Sequence, residues 1–102
     1  MTLVSNNDTM IVDFDSKHTY LVWIGERSTK LPFEIQNTAR RKLRMLHRAQ
    51  DLNDLRIPPS NHLEKLKGNL IDYFSIRINN QWRIIFKWKD GNSYKVKIVD
   101  YH

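Results

Sequence analysis

The chain predicts an α+β fold in which two amino-terminal helices pack on an antiparallel sheet. Three observations lead there. Ile35, Ala39, Leu43, Leu46 and Ala49 recur at helical spacing, the stripe of an amphipathic helix. From Tyr73 onward the apolar residues alternate with period two, the mark of half-buried strands. Asp90-Gly91 separates two of these runs, a pair suited to the positive φ angles of a tight hairpin turn.

The elements follow in order. Residues 1–9 are polar and read as a disordered extension, leaving 10–102 as one domain. Met10 to Phe14 reads as a short strand with Val12 and Phe14 in alternation. Asp15 or Ser16 is placed to cap a short helix through Ile24, and Gly25 to end it. Pro32 introduces the longest helix, Phe33 to Gln50. Its opposite face carries Arg40, Arg44 and Arg48 in one row with Arg41 beside it, a set without acidic partners. Lys42 falls inside the apolar stripe. Asp51 to Ser60, with Pro58-Pro59, cannot continue that helix and must cross the surface. A three-strand meander follows: Tyr73–Ile78, Trp82–Trp88 and Tyr94–Asp100.

The alternation sorts the meander into two faces. Phe74, Ile76, Ile78, Trp82, Ile84, Phe86, Trp88, Tyr94, Val96 and Ile98 must pack on the helices. Tyr73, Ser75, Arg77, Arg83, Ile85, Lys87, Lys95, Lys97, Val99 and Tyr101 take the open face. Five cations and two phenols without a carboxylate suit a single-stranded RNA, whose phosphates meet Arg and Lys and whose bases stack on Tyr.

Composition narrows the classes. The chain has 102 residues, no Cys and a formal charge of +6. Absence of Cys excludes a disulfide scaffold and a thiolate nucleophile. The four histidines lack metal-ligand spacing, so neither a metal nor another cofactor is expected. With no long apolar run and no apolar leader, a soluble cytoplasmic protein without a membrane partner is expected. Residues 1–30 hold three basic and four acidic side chains, whereas 31–102 hold fourteen and seven. That imbalance favours a polyanionic partner, with nucleic acid first.

Metal-free RNA cleavage needs a base for the ribose 2′-proton, cations for the charge on the phosphorane, and an acid for the leaving 5′-oxygen. The chain ends Val99-Asp100-Tyr101-His102, an imidazole beside the groups that commonly orient one. Glu64, Asp100 and His102 are candidate proton-transfer groups; Lys65, Lys67, Arg77 and Arg83 are candidate charge stabilisers. Gly68 beside Lys67 allows close approach of a ligand. Arg83, on the middle strand, can hold two phosphate oxygens at once.

Three stretches carry a family pattern: Pro58 to Gly68 (PPSNHLEKLKG), Tyr73 to Phe86 with its Trp82-Arg83-Ile84 core, and the terminal Ile98-Val99-Asp100-Tyr101-His102. Together with Ala39-Arg40-Arg41-Lys42-Leu43 they resemble HigB-type toxins of the RelE/ParE superfamily, from about Met10 to the end. The resemblance implies a RelE-like βααβββ fold and a toxin that enters the ribosomal A site of the small subunit and cuts translated mRNA. It also implies neutralisation by a HigA-type helix-turn-helix antitoxin. Catalytic roles carry over to Lys67, Arg83, Asp100, Tyr101 and His102, with Glu64 standing where some relatives have histidine. Leu70 and Asn79 stand where relatives show arginine, with Arg77 a substitute for the second. RNA or ribosome contacts are expected from Arg40, Arg41, Arg44, Arg48, Lys65, Arg77, Lys87, Lys95, Lys97 and Tyr73. Two other readings compete: a ParE-like inhibitor of DNA gyrase, and an RNA-binding module that breaks no bond.

Overall fold

A computed structural model describes residues 10–101; the expected extension at 1–9 and the terminal His102 lie outside the described residues. Helix α1 spans Lys17–Trp23. Ser16 caps it, its Oγ accepting from the backbone N–H groups of His18 and Thr19 at 3.2 and 3.4 Å, which satisfies two donors the first turn would otherwise leave open. Gly25, at φ 86°, follows the last turn in a conformation that other residues resist. Helix α2 spans Phe33–Arg48 after Pro32. Glu34 in its first turn and His47 and Arg48 in its last match the helix dipole. Its predicted stripe is buried at every position, with Ile35, Ala39, Leu43, Leu46 and Ala49 all at most 4% exposed. Gln36 ties the connecting loop to α2: its Oε1 accepts from Ser28 N–H, and its Nε2 donates to the Ser28 and Leu31 carbonyls.

Four strands form one antiparallel sheet in chain order: β1 (Glu64–Lys65), β2 (Phe74–Arg77), β3 (Trp82–Lys89) and β4 (Asn92–Asp100). The first was not expected, because two residues are too short to show an alternation. The helices cover one face, where Ile76, Ile84, Phe86, Val96 and Ile98 meet the stripe of α2. Thr19 pins α1 to that face, its buried Oγ1 accepting from Ile98 N–H at 2.9 Å. Among the described residues no helix is long and apolar enough to cross a membrane.

Two sequence expectations need correction. Met10–Phe14 makes isolated parallel bridges to β4 at Ile11–Ser93 and Phe14–Val96, not a regular strand. The bridged residues are three apart, so Ile11 and Phe14 are buried and Val12 is only half-buried. The cause is a bulge in β4. Between the pairs Ile85–Lys97 and Lys87–Tyr94, β4 holds one residue more than β3. Lys95 sits there at φ 51°, its N–H held by Asp13 Oδ1 at 2.5 Å. The extra residue reverses the side on which everything before it points. Tyr94 therefore pairs with Lys87 on the face away from the helices, and Ser93 takes the buried position.

Residues 51–61 hold two 3-10 turns, Leu52–Arg56 and Pro59–Asn61, and bury Leu55. They also explain Lys42. Its ammonium is buried and donates to Asn61 Oδ1, while Asn61 Nδ2 donates to the Leu55 and Ile57 carbonyls at 3.1 and 3.4 Å. Burial, and after it the neighbouring Arg41, hold the Lys42 amine below the ordinary lysine range. Asn61→Ala should therefore destabilise the fold by about 3 kcal/mol, since it leaves a buried amine and a buried carbonyl unpaired. Adding Lys42→Met should recover more than about 1 kcal/mol of that loss, read from urea midpoints in a double-mutant cycle.

His47 supplies a pH dependence. Its Nδ1 accepts from Ile11 N–H at 3.2 Å and its ring packs 5.0 Å from that of Trp23. Burial first, then Arg48, push its pKa below the ordinary histidine value. The unfolded chain thus takes up the proton near pH 6.5 while the fold still resists it. The stability from this group is present above about pH 6.5 and is lost as pH falls from there through the lower folded pKa. The urea midpoint should drop between about pH 7.5 and about 5.5, and His47→Asn should flatten the drop.

Candidate functional site

The face of the sheet away from the helices is organised in rows set by strand register. Glu64, Ser75, Ile85 and Lys97 lie side by side across β1 to β4; Arg77, Arg83 and Val99 form the adjacent row. Tyr101 follows Val99 with the same parity, and its N–H donates to the Gln81 carbonyl at 2.6 Å. β1 thus adds a carboxylate, Glu64, to a face expected to have none.

Arg83 holds the centre, but its place on the sheet is enclosed, with 8% of the residue exposed. Its Nη1 donates to Ser75 Oγ at 2.6 Å and to the His62 carbonyl at 3.1 Å. Nη2 donates to Glu64 Oε1 at 3.1 Å. The Tyr101 ring lies 5.3 Å from the guanidinium carbon, a favourable cation–π contact. A guanidinium has five N–H donors. Three are committed to protein groups among the described residues, which fixes the plane of the guanidinium. Arg77 stands directly opposite Arg83, an unfavourable like-charge pairing that draws Arg77 Nη2 aside to Asn80 Oδ1.

Two clefts meet at Tyr101. One, of about 280 Å³, is lined by His62, Arg77, Asn79, Asn80, Arg83 and Tyr101. The other, of about 300 Å³, is lined by Glu64, Lys65, Leu66, Lys67, Leu70 and Tyr101. Lys67 precedes Gly68, whose φ of 65° needs a glycine and whose α-carbon faces open space. Four cations and one carboxylate therefore surround one exposed phenol. Such a site attracts an anion and offers it donors, with the Glu64 carboxylate at the rim.

Glu64, Lys65, Lys67, Arg77, Arg83 and Tyr101 are thus brought together. Asp100 is not among the residues lining either cleft. It pairs with Trp82, so it has the opposite parity, and Gln81 Nε2 donates to its Oδ2 at 3.1 Å. His102 lies outside the described residues. Tyr73, Lys87, Lys95 and Lys97 share the face but lie toward its other end, with Lys87 Nζ 5.3 Å from the centre of the Tyr73 ring. The α2 arginines belong to the helical layer on the far side of the sheet. Arg41, Arg44 and Arg48 are exposed there. Arg40 departs from the expected solvent-facing row: it is half-buried, its guanidinium 3.1 Å from where a Cβ on Gly25 would stand, and its Nε has no hydrogen-bond partner among the described residues. The end of α1 packs against it. Ser75 and the His62 carbonyl were not singled out in the sequence, because a strand serine and a backbone oxygen carry no signal of their own.

A family model described as a HigB-like toxin, the RelE-like toxin of the type II toxin-antitoxin system HigB, matches residues 13–102. The chain is 50% identical over 66 residues to Toxin HigB-1 of Vibrio cholerae serotype O1, covering 65% of this chain and 70% of that one. It is 39% identical over 67 residues to an uncharacterized protein of Haemophilus influenzae, 66% of each chain. It is 27% identical over 93 residues to Endoribonuclease HigB of Proteus vulgaris, covering 91% of this chain and 100% of that one.

The hold on Arg83 can be measured directly. Ser75→Ala removes the hydroxyl without adding bulk at this fully buried position, so a buried charge-assisted bond is lost at a cost of about 2 kcal/mol in stability. Urea denaturation should show that loss, and an Arg83→Met background should shrink it.

Proposed function

The chain belongs to the HigB-like family of RelE-like toxins of type II toxin-antitoxin systems, and on that premise we propose that it is a ribosome-dependent mRNA endonuclease acting in the A site. Membership of such a system implies an antitoxin partner; we take that partner to be of the HigA helix-turn-helix type. Action at the ribosome makes the proposed site of action the cytoplasm. The observation that carries the reading is the Arg83 guanidinium, fixed by Ser75, His62 and Glu64 in the lining of a cleft, in a cluster with Lys65, Lys67 and Arg77.

The chemistry proposed is internal transesterification, without a metal. The ribose 2′-oxygen attacks phosphorus and gives its proton to a base. The bond from phosphorus to the 5′-oxygen breaks, and an acid protonates that oxygen. A cyclic 2′,3′-phosphate and a 5′-hydroxyl remain, so atoms and charge balance. Charge builds on the phosphoryl oxygens in the transition state, where preset donors act most strongly. Arg83 and Lys67 fill that role. Tyr101 backs the Arg83 plane and offers a ring on which a base can stack. Glu64 in the cleft and His102, the leading acid–base group on the family resemblance, supply the proton transfers; Asp100, turned to the other side of β4, takes no direct part.

A gyrase inhibitor or a passive RNA binder would share the basic surface but create no RNA ends. Induced expression followed by mapping of transcript 5′ ends separates them. New ends within translated frames are expected within minutes, and none from Arg83→Ala or Lys67→Ala variants that retain the wild-type circular dichroism. Loss of one transition-state donor is worth about two to three orders of magnitude in rate, enough to abolish growth arrest. Undiminished arrest by both folded variants would reject the site.

A further inference from the structure

The groove at the far end of the cleft-side face has no role in the reading so far. It measures about 520 Å³ and is lined by Lys87, Trp88, Lys89, Tyr94 and Lys95, with Asp72 at one edge. Its floor is a cross-strand set. Lys87 pairs with Tyr94 on β4 and lies over the Tyr73 ring on the other side. Tyr94 reaches this face only because the bulge at Lys95 turns it away from the core. The bulge therefore places a half-buried phenol among three lysines.

Position gives the groove its meaning. Lys87 follows Arg83 by four residues on β3, roughly 13 Å along the strand. The row between them presents an exposed Lys97 beside a buried Ile85. Lys97 thus stands as a cation between the clefts around Tyr101 and the aromatic groove, in a row that also holds the buried Ser75 and Ile85 and the Glu64 carboxylate. Flat rings set among cations fit single-stranded nucleic acid, whose bases stack without regard to sequence and whose phosphates meet lysine. A peptide of acidic character would use the lysines but leave the Trp88 and Tyr94 rings in the lining unexplained.

We propose that this groove, with Tyr94 as its stacking platform, holds a further stretch of the same RNA strand whose scissile linkage lies in the clefts around Tyr101. The inference rests on the nuclease reading for what fills the clefts. The groove anchors the strand at a second point, and so raises the occupancy of the reacting linkage.

The test uses the full chain and fluorescently labelled 2′-O-methyl RNAs, which the proposed chemistry cannot cut, read by anisotropy at low salt. An octanucleotide should bind more tightly than a trinucleotide. Tyr94→Ala should weaken the octanucleotide by about tenfold and leave the trinucleotide unchanged, and Tyr94→Phe should restore binding. Lys95→Gln should reduce the slope of log affinity against log salt by about 0.7 for the octanucleotide alone; it also serves if Tyr94→Ala does not fold. Equal affinity for the two lengths, no binding of the octanucleotide, or an unaltered octanucleotide affinity in both Tyr94→Ala and Lys95→Gln would overturn the groove. Arg83→Ala separates the two readings: it should weaken both lengths. An Arg83→Ala protein that binds the trinucleotide normally while Tyr94→Ala still weakens the octanucleotide would leave the groove standing and remove the cleft.

Discussion

Burying the head of an arginine inside a sheet costs several kcal/mol unless charge and hydrogen bonds are supplied in return. The Arg83 side chain is 10% exposed, and much of the structure around it answers that demand. β1 exists where its pairing puts Glu64 within reach. The turn at Asn61 and His62 aims a carbonyl at the same guanidinium. Ser75 is a hydroxyl where the strand would otherwise carry a second apolar residue beside Ile85. The guanidinium plane is oriented before any ligand arrives, so binding an anion beside it requires little rearrangement.

The chain of support continues behind the site. His62 follows Asn61, which is fully buried and holds both the Leu55 carbonyl and the ammonium of Lys42. A lysine from α2 thus sets the loop whose next residue sets the arginine. This polar connection joins the helical layer to the cleft layer. It lies at low dielectric, where a partly satisfied network would be worse than an apolar one.

Charge is distributed by layer. Arg41, Arg44 and Arg48 face solvent on α2, Arg77 and Lys97 lie on the opposite face of the sheet, and Lys65 and Lys67 line the cleft beside it. The field of the molecule is therefore positive on two sides, which speeds encounter with any polyanion. Only the cleft side combines that charge with fixed geometry. The distinction matters because cations on a helix surface attract, whereas donors held by neighbours can select and stabilise one arrangement.

Local pattern alone determined the two helices, their caps, the stripe of α2 and the three long strands, because each rests on spacing within a dozen residues. It also determined which strand residues face away from the helices from Ser75 to Ile85, and so marked Arg77 and Arg83. Motif likeness carried the family. Tertiary structure decided the rest, for one reason: these features depend on residues distant in the chain. A two-residue strand is visible only through its partner, so the Glu64 bond to Arg83 could not be read in advance. The bulge at Lys95 answers to Asp13, 82 positions away, and it alone moved Tyr94 from the core side to the outer face. Lys42 looked misplaced in an apolar stripe until Asn61, 19 residues on, was seen to receive it.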